Sequence, residues 1–271
     1  MSHVRESITQ PQGRKGAGVP GARSVLACAG GPEDGPAGAP EAPAEVGDWP
    51  YWRSFVQTVC ITVAFGQGIV PLAVTSMGAS TQRGALTLAG LELAQLGVIL
   101  ALRPDAPSAR KRGSVARAVL LGACLAVGCL GVVAIVEGVV GGPGGGITQG
   151  DEPLALSKDP VTFGAYLLAA CVLAPVSEEL LYRSWALDPA LSGDDEVLDT
   201  WRRRAVSLAW SSALFAGIHA SPRDFAGLFA LGLCLGTGYL GTGGSIVVPI
   251  TAHVLYNAAI VSSVVYAGTA R

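Results

Sequence analysis

VARAVLLGACLAVGCLGVVAIVEGVV, residues 115–140, decides the fold class. Apart from Arg117 near its start and Glu137 near its end, the stretch carries no charge. A helix needs about 20 apolar residues to cross a bilayer core of about 30 Å. Lipid offers backbone amides no partners, so a crossing segment must satisfy them internally, as a helix does. Residues 115–140 therefore read as a membrane-crossing helix. Working outward, six further apolar stretches qualify, at about 54–75, 84–102, 161–187, 204–220, 225–241 and 245–268. The expected fold is all-α: a polytopic membrane helical bundle of about seven transmembrane helices. Composition agrees, since the chain is 50% hydrophobic and only 14% charged, with a mean hydropathy of +0.47. A soluble domain carries about 25% charged residues.

Residues 1–50 differ from the rest. They are rich in Gly, Pro and Ala and poor in aromatics, too little apolar surface to offset the entropy of ordering. They read as a disordered cytoplasmic tail, with the transmembrane domain over 51–271. Five of the six cysteines fall in apolar spans, and none forms a Cys-x-x-Cys pair. They read as small buried hydrophobes. A net charge of −2 without a basic block gives no nucleic-acid partner. With the N-terminus in the cytoplasm, Arg103, Arg110, Lys111, Arg112, Arg202, Arg203 and Arg204 all fall inside, as the positive-inside rule asks. The Ala/Gly-rich, multi-pass chain is expected in a bacterial inner membrane with the lipid bilayer as its surroundings.

Three spans carry polar groups. Glu178-Glu179-Leu-Leu-Tyr-Arg183 lies in the fourth, Phe215-Ala-Gly-Ile-His219 in the fifth and His253-Val-Leu-Tyr-Asn257 in the seventh. A charge at the bilayer centre costs about 2.5 kcal/mol or more. Such a set on three separate spans reads as one polar site inside the membrane. Residues four apart share a helical face, so Glu179 can pair with Arg183, a structural role. Glu178, turned about 100° away, is left to face a cavity as a general base on water. His219 can take or give a proton or ligate a metal, with Phe215 packing against it. His253 and Asn257 can co-ligate a metal, donate to a developing oxyanion or simply bond two helices. Glu92 and Glu137 are lone carboxylates in the second and third spans, and the small residues around Gly236 and Gly238 suit close helix packing.

In order and spacing, these three motifs resemble the CPBP family, the CAAX proteases and bacteriocin-processing enzymes, type II CAAX prenyl endopeptidase-like. The family is marked by Glu-Glu-x-x-x-Arg, Phe-x-x-x-His and His-x-x-x-Asn or Asp on successive membrane helices. The resemblance covers about residues 160–260. This chain departs from it at Ser184, where the family often has Gly. It implies a protease-like transmembrane domain and an intramembrane endopeptidase that processes a CAAX-like tail or matures a bacteriocin or other peptide. The substrate would be a peptide or protein, lipidated in the prenylated case. By motif, Glu178 and His219 would activate the water, and His253 and Asn257 would hold the oxyanion. Glu179, Arg183 and Phe215 would support them. The family has been described both as metal-free glutamate proteases and as metalloproteases. A catalytic zinc held by Glu178, His219 and His253 is therefore an open alternative, with the metal-free version favoured by the absence of a His-Glu-x-x-His helix.

Two other classes also place carboxylates and histidines in mid-membrane. One is a multi-pass transporter or proton-coupled channel, which inverted repeats would favour. The other is a catalytically silent immunity or scaffold membrane protein. Strict alternation of the spans sets His219 and His253 at different depths, so convergence requires tilted or staggered helices.

Overall fold

The computed structural model describes residues 52–77, 81–102, 113–140, 159–187 and 197–269; the expected tail over 1–50 lies outside the described residues. Most of the described residues are helical, and none is in a strand. Helix α1 runs through three consecutive segments, Trp52–Ile61, Thr62–Ile69 and Val70–Met77, the middle one in the wider i→i+5 register of a π-helix. The others are α2 (Gln82–Ala101), α3 (Val115–Val140), α4 (Pro160–Leu187), α5 (Val197–Ile218), α6 (Phe225–Gly241) and α7 (Val247–Thr269).

Every expected span has its helix. In α1, α2, α3, α4 and α7 the helix is long and apolar enough to cross a membrane. The other two differ for separate reasons. α6 is apolar but has 17 residues, about 26 Å at 1.5 Å per residue. α5 begins earlier than the hydropathy suggested and takes in Trp201-Arg202-Arg203-Arg204, which lowers its apolar character. It also ends at Ile218, so His219 sits in the following turn rather than on the helix. Pro222 disfavours helical geometry at the residue before it, and Ala220 adopts a left-handed φ of 47° that closes the helix end.

The distribution of side chains is that of a protein in lipid. On α3 the inward row is Gly122, Ala126, Cys129 and Val133, while Leu120, Val127, Ile135 and Val139 face outward. Lipid is as apolar as leucine, so burying large aliphatics gives no advantage. Small residues face inward because they let backbones approach. A Cβ added at Gly122 would stand 2.6 Å from Thr251 Cβ and 2.7 Å from the Val248 carbonyl oxygen, so α3 and α7 touch backbone to backbone there. At Gly232 it would meet Ser212 Cβ at 2.9 Å, and at Gly236 Leu208 Cδ1 at 2.3 Å. These two glycines bring α6 against α5, the close packing expected of that small-residue run.

α4 is built to be irregular. Asp159 caps its start, accepting from the backbone N–H of Val161 (3.4 Å) and Thr162 (3.1 Å), with Pro160 in the first turn. Further along, Ala169–Leu173 and Leu180–Leu187 are π-helical and Ala174–Glu179 is α-helical. Pro175 explains the first change of register. In the i→i+5 pattern, where Ala174 N–H bonds the Ala169 carbonyl, the Ala170 carbonyl would need a donor from residue 175. Proline has none.

Candidate functional site

The site begins at the donor that Pro175 lacks. Asn257 on α7 supplies it: its Nδ2 donates to the Ala170 carbonyl at 2.8 Å. A carbonyl left bare in the bilayer would cost several kcal/mol, so this side chain docks α7 onto the broken stretch of α4. The bond also sets the register that places His253, one turn earlier on α7, beside the two glutamates.

Glu179 is fully buried and uses both oxygens. Its Oε2 lies 3.0 Å from Arg183 Nε, the pairing expected from four-residue spacing. Its Oε1 lies 3.0 Å from His253 Nδ1, which the sequence did not indicate. Arg183, also fully buried, donates from Nη1 to Ser211 Oγ (3.1 Å). Ser211 in turn donates to the Tyr182 carbonyl (2.8 Å). Arg183 thus ties α4 to α5, and its guanidinium lies 5.4 Å from the centre of the Phe215 ring.

Because Nδ1 of His253 faces the Glu179 carboxylate, Nδ1 carries a proton and Nε2 points elsewhere. It points at Glu178: Nε2 lies 3.7 Å from Glu178 Oε2. That exceeds a hydrogen bond, and Glu178 keeps 22% of its side chain exposed while Glu179 keeps none. The two adjacent glutamates therefore occupy the different environments expected of them, one sealed in an ion pair and one open. The result is a chain from Arg183 through Glu179 and His253 to Glu178.

Phe215 is completely buried and sits between the two histidines. Its ring centre is 5.1 Å from that of His219 and 5.6 Å from that of His253, both edge-on. The depth conflict foreseen between the two histidines is thus bridged by one aromatic ring. His219 Nδ1 bonds the Phe215 carbonyl at 2.8 Å, which makes Nδ1 the protonated nitrogen and leaves Nε2 with its lone pair. His219 is exposed, and Phe215 rather than a direct bond links it to the Glu178–His253 pair.

Among the described residues no three His, Cys, Asp or Glu side chains gather into a metal-ligating set.

Sequence reasoning missed Tyr182, Ser211 and Thr62. Tyr182 packs edge-on against Phe215 at 5.6 Å and shares a hydrogen bond with Thr62 Oγ1 of α1 at 3.1 Å. Serines and threonines are common in membrane helices, so nothing in the sequence marked these. The two carboxylates read as lone have neighbours. Glu92 on α2 interacts electrostatically with Glu178. Glu137 on α3 lays its carboxyl over Gly227, where a Cβ would stand 2.8 Å from Oε1.

Residues 160–259, which hold all three motifs, match the type II CAAX prenyl endopeptidase Rce1-like family. The match covers 100 of the 271 residues. No curated protein and no solved structure matches the chain. The Rce1-like segment runs from the start of α4 into α7. It therefore contains every residue of the Arg183–Glu179–His253–Glu178 chain. The helices α1, α2 and α3 lie outside it. With five helices long and apolar enough to cross a membrane, the protein is an integral membrane protein.

Proposed function

We propose that this protein is an intramembrane endopeptidase that hydrolyses a peptide bond near the end of a lipidated peptide or protein, with Glu178 as the general base. The observation that carries the reading is the pairing of Glu178 and His253. A half-open carboxylate stands 3.7 Å from an imidazole whose other nitrogen is anchored on a buried ion pair. Structural ion pairs have no need of the open member.

In this reading a water sits between Glu178 and the scissile carbonyl. Glu178 takes a proton from that water as the oxygen attacks the carbonyl carbon. His253, held by Nδ1–H to Glu179, presents a protonated Nε2 to the negative charge that develops on the carbonyl oxygen. One N–H of Asn257 is committed to Ala170. The other is free to join His253 there. When the C–N bond breaks, the leaving nitrogen receives the proton, with the free Nε2 of His219 as its carrier. Arg183 keeps Glu179 charged and fixed, which in turn fixes the ring of His253. A cytoplasmic N-terminus is supported by the arginines of the α2–α3 connection and of early α5, and a bacterial inner membrane by the Ala/Gly-rich composition. Maturation of a bacteriocin-like peptide would need the same chemistry on an unlipidated chain.

The test uses the purified full-length protein in proteoliposomes, with a farnesylated CAAX peptide and its unlipidated counterpart. Glu178→Gln is expected to lower cleavage by about 10²–10⁴-fold, the usual size of a general-base contribution. Its melting temperature should stay that of the parent. Undiminished cleavage by this variant would sink the assignment. Equal cleavage of the two peptides would remove the requirement for a lipid.

A further inference from the structure

The π-helical stretch Thr62–Ile69 of α1 lies outside the family segment, yet it touches both halves of the site. One contact is to α4, through the Thr62–Tyr182 hydrogen bond next to Arg183. The other is to the end of α5. Gln67 Nε2 donates to the carbonyl of Ile218, the last helical residue before His219. In an i→i+5 register, residues 62, 66 and 67 fall on one side of the helix. Gly66 makes the approach feasible, because a Cβ there would stand 2.5 Å from Ile218 Cδ1.

The turn at His219 needs this support. The last carbonyls of any helix lack intrahelical donors. Here the chain tightens, with His219 N–H bonding the Ala216 carbonyl at 3.3 Å and Ala220 N–H the Gly217 carbonyl at 3.1 Å. It then passes through Ala220 at φ 47°, a left-handed region unfavourable for a residue with a side chain. Such a conformation persists only where its surroundings impose it. His219 is exposed; it is held by the carbonyl and the ring edge of Phe215 behind it and by Gln67 on the residue before it.

We propose that Gln67 is a positioning residue for His219: by binding the Ile218 carbonyl it holds the turn, and so aims the imidazole at the peptide bond. This deepens the proteolytic reading and rests on it. It also means that the working site extends beyond the family segment to the first described helix. Gln67 itself touches neither substrate nor water in this role.

Two measurements on the full-length protein decide it. The first needs no substrate. In Gln67→Met, which keeps the size of the side chain but cannot donate, hydrogen–deuterium exchange of the backbone amides of His219 and Ala220 should accelerate about tenfold or more, while core amides of α5 stay unchanged. Unchanged exchange at the turn overturns the proposal. The second is kinetic, with the farnesylated peptide. Gln67→Met should lower kcat by about 10²-fold with KM unchanged, as expected when a catalytic group is displaced by about 1 Å. A raised KM with unchanged kcat would assign Gln67 to substrate binding and also overturn it. If Glu178→Gln and His219→Ala cleave like the parent, the proteolytic reading fails. If those two are inactive and Gln67→Met is fully active, only this inference fails. Should the parent cleave neither peptide, the exchange experiment still decides whether Gln67 holds the turn.

Discussion

At the scale of single residues, Glu178 and Glu179 show how two neighbours of one type take opposite tasks. Helical geometry turns them apart, and the packing of α5 and α7 then seals one and leaves the other open. Glu179 is bound on both oxygens, by Arg183 and His253, and both members of the ion pair are fully buried. Removing one partner of such a pair leaves an uncompensated charge, which costs about 3–5 kcal/mol. Arg183→Met should therefore lower the thermal stability of the protein in detergent by about that amount. The double variant Glu179→Gln with Arg183→Met should recover part of the loss, since glutamine can still accept from His253 Nδ1. Thermal unfolding of the three proteins checks this, and strictly additive losses would show that the two side chains do not act as a pair. The pairing of Glu179 with Arg183 was legible in the sequence because it depends only on four-residue spacing. The bond from Glu179 to His253 was not, because it joins residues 74 apart in sequence.

At the scale of helices, irregularity is concentrated where the chemistry is. Pro175 forces α4 out of register, and Asn257 repairs the defect from another helix. Of the roles read from sequence for Asn257, metal ligand, oxyanion donor or a bond between helices, the interhelical bond is the one seen. Helix contacts elsewhere rely on missing side chains. Gly122 on α3 allows backbone contact with α7, and Gly128 on the same helix has nothing within 4 Å of an added Cβ. Gly122→Val should cost about 1–3 kcal/mol by overpacking, whereas Gly128→Val should stay within about 0.5 kcal/mol of the parent. Equal melting temperatures for the two variants would contradict the close α3–α7 contact. The helix spans were predictable from hydropathy, and the small-residue character of α6 foretold tight packing. The end of α5 was not predictable to the residue, since the left-handed turn at Ala220 and the carbonyl bond from Gln67 come from outside that helix.

At the scale of the whole molecule, the family segment is not self-contained. α2 packs along the Pro160–Leu168, Ala169–Leu173 and Ala174–Glu179 segments of α4, while α1 packs on Leu180–Leu187. α3 packs on α6 and α7. Helices that insert independently and then associate can reassemble from pieces. Fragments 1–112 and 113–271, co-expressed, should copurify from membranes, because α1 and α2 bury polar and small groups against α4. Separate recovery of the two fragments would contradict that packing. Sequence by itself determined that the chain is a helical membrane protein, where its spans lie, and which polar residues share a face, because hydropathy and the 3.6-residue period are local properties. Tertiary structure alone decided that His253 binds Glu179 and faces Glu178, that Asn257 mends α4, and that α1 reaches the turn at His219. Those contacts depend on the axial offset and rotation of one helix against another, and a local period does not encode them.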